Sequence, residues 1–164
     1  AVRHTVAPRI ELKAHEWQEG PGGNSMELVY GTAVAIDGRG VLLRGPSGSG
    51  KSDLALRLIE GGAMLVSDDQ TRLVREGGRL VAGAPDSIAG QLEVRGIGIV
   101  PVPNTRRAPL DLVIDLVPPE QVDRFPEAGS CTYLELTIPL LSLAPFEASA
   151  PAKVRLALSH FPAR

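Results

Sequence analysis

Cysteine is nearly absent from this chain, and the single Cys131 excludes an internal disulfide or a zinc site built from several thiolates. Neither sign of charge is in excess. With 17 Lys and Arg against 19 Asp and Glu, the formal net charge is -2, so the basic surplus that neutralises nucleic-acid phosphates is missing. No apolar run approaches the roughly 18 residues of a membrane span, and no signal-type apolar core stands near the N-terminus. These absences point to a soluble, cytoplasmic protein with neither nucleic acid nor membrane as a partner. Aromatic residues make up only 4% of the chain, whereas 18 Gly and 14 Pro announce many tight turns. The 164 residues, 43% of them hydrophobic and 22% charged, suit one globular domain with a buried core.

Residues 1–27 read as a leader or edge segment, with Glu19-Gly20-Pro21-Gly22-Gly23-Asn24-Ser25 as linker chemistry. The organised domain is expected over 28–164. Leu28 to Ile36 alternates as a strand, turns at Asp37-Gly38 and returns through Val41-Leu42-Leu43, a hairpin pattern. Asp53 to Glu60 is rich in helix formers and stops at Gly61-Gly62. Ala63 to Ser67 predicts a short strand closed by Asp68-Asp69, and Thr71–Val74 with Arg79–Val81 a second hairpin. Gly96–Val102, Leu110–Val117 and Tyr133–Ile138 each predict one strand, with Asn104 to Pro109 as a polar loop. Lys153 to His160 predicts a short terminal helix.

Gly45-Pro46-Ser47-Gly48-Ser49-Gly50-Lys51-Ser52 satisfies the pattern G-x-x-x-x-G-K-[ST]. Glycines let such a loop curl so that backbone N–H groups face phosphate oxygens. Lys51, expected to be an exposed loop lysine, reaches the β- and γ-phosphates of a nucleotide, and the Ser52 hydroxyl can ligate Mg²⁺. An apolar strand before it and a helix after it supply the context, with the helix dipole adding positive potential. Ser47 and Ser49 are loop formers rather than nucleophiles. The competing account is a Gly/Ser turn carrying a solvated lysine.

Asp68-Asp69 ends the strand that follows that helix. A carboxylate pair there can divide two tasks, one in the Mg²⁺ shell and one accepting a proton from a nucleophile. A strand-ending Asx turn is the alternative. Glu93 and Arg95 stand two apart, so on an extended segment they share a face. They suit a metal-phosphate site, or form an ordinary surface salt pair.

Together these segments, with Leu92-Glu93-Val94-Arg95-Gly96-Ile97-Gly98-Ile99, resemble the catalytic domain of HPr kinase/phosphorylase, over about Leu28 to Val102. The resemblance implies an α/β fold, a phosphate-loop core with a mixed sheet and flanking helices like that of phosphoenolpyruvate carboxykinase. It implies a homo-oligomer, a hexamer, that uses ATP and Mg²⁺ to phosphorylate a serine of the phosphocarrier protein HPr, reversibly with inorganic phosphate. By resemblance Lys51 binds phosphate, Ser52 and Glu93 hold Mg²⁺, and Asp68-Asp69 supplies the proton-exchanging carboxylate. An arginine stabilises the transferring group, with Arg107 or Arg106 the candidate. Two other functions stay open: a related kinase of small-molecule hydroxyls, and a regulatory module that senses ATP without turnover. His4, His15 and His160 share no metal-binding spacing, Trp17 reads as a packing anchor, and Cys131 reads as a buried or half-buried thiol.

Overall fold

A computed structural model describes residues 25–163; the expectations for His4, His15, Trp17 and most of the leader lie outside them. Strand β1 (Met26–Tyr30) is separated at Gly31 from β2 (Thr32–Ile36), which turns into β3 (Arg39–Arg44). Helix α1 (Lys51–Glu60) leads to β4 (Met64–Ser67), and the hairpin β5 (Gln70–Glu76) and β6 (Arg79–Gly83) follows. Next come β7 (Gln91–Val94), β8 (Gly98–Pro101) and the long β9 (Arg107–Leu116). The hairpin β10 (Gly129–Tyr133) and β11 (Leu136–Leu143) precedes the terminal helix α2 (Ala150–His160). The result is a mixed α/β fold with one large curled sheet and few helices.

The sheet runs β1-β5-β6-β9-β3-β2-β4, with β11 also on β9 and β10 beyond it. Its middle is parallel. β9 pairs with β3 (Leu43↔Ile114, Arg44↔Asp115) and with β11 (Ser142↔Asp115, Leu143↔Leu116) in parallel register. Its first residues pair antiparallel with β6, Val81 opposite Pro109 and Gly83 opposite Arg107. The turns after β3 and after β11 therefore leave the sheet at the same end, the carboxyl edge where open α/β sheets bind ligands.

Consecutive apolar residues in β3 and β9 follow from burial on both faces. Val41, Leu43, Leu112 and Ile114 pack with Leu54 and Leu58 of α1 and with Val154 and Leu158 of α2. Leu42, Leu110 and Val113 point the other way, onto Val66, Leu73, Leu80 and Ile138. Truncating one such leucine to alanine costs about 2–5 kcal/mol. Helix α1 ends as its glycines require: Ala63 N–H bonds Leu58 O at 3.0 Å and Gly62 N–H bonds Ile59 O at 2.9 Å, with Gly62 at φ 105°. That paired closure satisfies carbonyls the helix leaves open.

Three local expectations change. Arg107, Ala108 and Pro109 belong to β9 rather than to a polar loop, because β6 supplies their partners. Tyr133 to Ile138 is not one strand. It bends at Leu134 and Glu135, both at positive φ (49° and 68°), so that Tyr133 faces Leu136 across a tight hairpin. The extended segment expected around Glu93 and Arg95 breaks after Val94. Ile97 N–H bonds Val94 O at 3.0 Å, which puts Arg95 in the β7–β8 turn while Glu93 stays in β7.

Candidate active site

The turn from Gly45 to Gly50 joins β3 to α1 and is anchored from below. Arg44, the last residue of β3 and 4% exposed, donates to Asp115 through Nε (2.8 Å) and Nη2 (3.1 Å) and to Tyr133 Oη through Nη1 (2.7 Å). Within the turn Ser49 N–H bonds Pro46 O at 3.0 Å. Gly50 caps α1 at φ 99° without any side-chain cap, so no capping side chain takes up the first N–H groups of the helix. A Cβ at this position would lie 2.9 Å from the Phe146 ring, and the positive φ already favours glycine.

Lys51 is not the exposed loop lysine expected. It is 7% exposed, and its ammonium donates to Gly45 O at 2.6 Å and to Pro46 O at 3.2 Å. The folded-back turn wraps its own cation. Burial lowers the Lys51 pKa, and the carboxylates of Asp69 and Asp68 oppose that shift. Asp69 Oδ1 stands 3.9 Å from the ammonium.

Asp68 joins four elements. Its Oδ1 accepts the Ser52 hydroxyl of α1 at 2.7 Å and the Thr32 hydroxyl of β2 at 3.0 Å, while its Oδ2 accepts the Glu93 N–H of β7 at 2.9 Å. The side chain is 8% exposed. Asp69 is its opposite in environment: its side chain is 63% exposed. Its backbone takes φ 63°, a region that Asp tolerates better than most residues. Thr32 Oγ1 accepts the Asp69 N–H at 3.0 Å, and Gly31 N–H bonds Asp69 O at 2.9 Å. The pair does form a strand-ending turn, and that turn aims one carboxylate at Ser52 and the other at Lys51. No sequence motif marks Thr32, a buried threonine in an apolar strand, and its partners lie 36 and 37 positions away.

Ser52 and Glu93, the expected metal ligands, thus stand on either side of one carboxylate, Glu93 with its side chain exposed. Arg95 is exposed in its turn. Arg107 pairs with Glu76 of β5, and no hydrogen bond or ion pair among the described residues joins it to Lys51, Ser52, Asp68 or Asp69. Arg106 is exposed beside it.

Comparison with known proteins identifies the family. Residues 24–143, well over half of the chain, match the family described as HPr Serine kinase C-terminal domain. The chain belongs to that family. The match passes Val102, beyond which the resemblance read from motifs weakens. The HPr kinase/phosphorylase of Clostridium tetani is 43% identical over 76 residues, which cover 46% of this chain and 25% of that protein. That of Lactobacillus acidophilus is 40% identical over 97 residues, 54% of this chain and 30% of that protein. The chain thus spans about a quarter to a third of the length of the curated relatives it matches. The solved structure of the Hpr(Ser) kinase/phosphatase from Coxiella burnetii superposes with a TM-score of 0.74 at 27% identity, over 82% of this chain and 95% of that one.

The turn fits a phosphate group on its own terms. Among the described residues Ser49 Oγ is buried without a hydrogen-bond partner, an unmet polar atom inside the Gly45–Ser52 curl. Among the described residues no three His, Cys, Asp or Glu side chains gather as a self-sufficient metal cage. Mg²⁺ does not ask for one, since it is commonly held by one or two protein oxygens together with substrate phosphates.

Proposed function

We propose that this member of the HPr serine kinase family transfers the γ-phosphoryl group of ATP to a serine hydroxyl of the phosphocarrier protein HPr, and that inorganic phosphate reverses the step. The observation that carries this reading is the meeting of Ser52, Thr32 and the Glu93 N–H on Asp68, beside a lysine wrapped by a glycine-rich turn. The core is then a phosphate loop, related to that of phosphoenolpyruvate carboxykinase, and the assembly a hexamer.

The residues divide the work by environment. Three donors already occupy the buried Asp68 carboxylate, so it is not placed to meet a substrate hydroxyl. It instead orients Ser52 and Glu93, which would hold Mg²⁺; the cation, when bound, neutralises charge on the β- and γ-phosphates. Asp69 is accessible and lacks those donors, so it takes the proton of the substrate serine as that oxygen bonds to the γ-phosphorus. The bond from phosphorus to the β,γ-bridging oxygen breaks, and ADP leaves. Lys51 and the N–H groups at the start of α1 stabilise the charge on the transferring oxygens. Arg107, occupied by Glu76, serves this step only if it leaves that partner.

The test is incubation with γ-labelled ATP, Mg²⁺ and HPr from the same organism, with the label located by mass spectrometry. Phosphoserine on HPr is expected. ATP binding without transfer to any acceptor would overturn the kinase reading in favour of a sensor, and label in a metabolite pool would make the acceptor a small molecule.

A further inference from the structure

We propose that Phe146 is the platform on which the nucleobase stacks, and so the residue that makes this site prefer a nucleotide to a bare polyphosphate. The inference rests on the phosphate reading of the Gly45–Ser52 turn. It concerns a residue beyond position 143, where the family match ends.

Three observations place the ring. The turn holding Pro145 and Phe146 follows β11, and β3 and β11 meet Asp115 of β9 from either side in parallel register. Both turns therefore open at the same carboxyl edge. Secondly, the ring touches the phosphate turn itself: a Cβ on Gly50 would meet Phe146 Cζ at 2.9 Å, Cε1 at 3.1 Å and Pro145 Cβ at 3.2 Å. Thirdly, Phe146 is 69% exposed although it leans on Gly50, so much of the ring is open to a flat ligand.

The backbone that carries the ring is held on both sides. Arg57 of α1 donates to Pro145 O through Nη2 and to Glu147 O through Nη1 at 3.3 Å, gripping the backbone on both sides of Phe146. Asp53 accepts from Arg57 Nε at 3.1 Å and Lys153 Nζ donates to Glu147 Oε1 at 3.1 Å, so both partners of the clamp are themselves tied. A platform ordered before the ligand arrives spares part of the entropy cost of binding. A nucleotide whose phosphates sit at the start of α1 carries its base outward from Gly50, and the ring flanks that exit. Stacking on one aromatic face tolerates any base, because every base offers a π-face.

The test compares binding of ATP, GTP and inorganic tripolyphosphate to the full chain by calorimetry. The parent should bind ATP and GTP with similar affinity and tripolyphosphate about 10-fold more weakly, within the range that base–aromatic stacking supplies. Phe146→Ala should lose about 10-fold in nucleotide affinity and leave tripolyphosphate binding unchanged. Phe146→Trp should retain nucleotide binding and add a fluorescence signal that ATP quenches and tripolyphosphate does not. Equal binding of ATP and tripolyphosphate by the parent, or parent-like ATP affinity in Phe146→Ala, overturns the platform and leaves the phosphate site standing. A parent that binds none of the three overturns both.

Discussion

The hydroxyl of Ser52 and the carboxylate of Asp68 meet at 2.7 Å, joining the first turn of α1 to the end of β4. A hydroxyl whose proton is committed to a carboxylate turns its lone pairs elsewhere, which is what a hard cation requires of a ligand. Asp68 also accepts the Glu93 N–H, so one buried carboxylate sets the spacing of three chain segments around the glycine-rich turn. Single substitutions can ask what each of these contacts contributes.

Lys51→Met should lower phosphoryl transfer by at least about 100-fold, the scale on which a lost electrostatic stabiliser acts. The fold should survive. The ammonium is buried against the two carbonyls of Gly45 and Pro46, and methionine fills the same channel without a charge to desolvate. Single-turnover transfer beside a thermal melt checks both halves. Near-parental turnover would remove Lys51 from the mechanism.

Thr32→Val keeps the shape of a fully buried side chain and removes its hydroxyl. Asp68 then loses a donor, and the Asp69 N–H loses its acceptor. The unmet groups should cost about 1–3 kcal/mol in urea unfolding. Thr32→Ser, which restores the hydroxyl, should recover transfer more fully than Thr32→Val. Equal transfer by the two variants would show that the hydroxyl positions nothing that matters to the reaction.

Much of this was legible in sequence where a local rule decides the backbone. Asp37-Gly38 marks the β2–β3 turn, with both residues at positive φ as the tight hairpin demands (50° and 79°). Gly45 to Ser52 marks the strand-to-helix turn, and Gly61-Gly62 the end of α1. What escaped was set by partners distant in sequence. The Leu134-Glu135 bend carries neither Asn nor Gly, and only the pairing of Tyr133 with Leu136 reveals it. Arg107 reads as part of a polar loop by composition, yet β6 extends the ladder through it and Pro109. Lys51 looks solvated by type and is enclosed by carbonyls five and six residues earlier.

Cys131 should alkylate slowly at neutral pH. Burial pushes its thiol pKa up and nearby Asp115 adds to the shift, while Arg44 opposes it. Only the thiolate reacts. The rate with iodoacetamide should therefore lie below that of free cysteine at pH 7, and its rise with pH should be displaced above the ordinary thiol range near about 8.5. A profile matching free cysteine would mean that β10 leaves this side chain in water.

The carboxylate pair separates a catalyst from a sensor most sharply, because the two residues differ in surroundings and should fail in different ways. Asp69 is exposed beside the Lys51 ammonium and among the described residues accepts from no hydroxyl, so its assigned task is proton acceptance during transfer. Asp69→Asn should cut single-turnover transfer by about 10²- to 10⁴-fold, the span of general-base catalysis. ATP affinity should hold or tighten, since a negative charge near a polyanion is removed. Asp68→Asn should behave otherwise. Its amide can replace one acceptor but not both: the Ser52 and Thr32 hydroxyls need Oδ1, the Glu93 N–H needs Oδ2, and an amide nitrogen donates where an acceptor is required. Stability should fall, and ATP affinity and transfer should decline together, most steeply at limiting Mg²⁺. Calorimetric ATP binding, single-turnover transfer and urea unfolding, run on both variants across a Mg²⁺ series, resolve the two patterns. If Asp69→Asn transfers within about threefold of the parent, well short of the general-base range, the proton goes elsewhere. Asp69 is then an exposed turn residue held at positive φ by Thr32 and Gly31 alone.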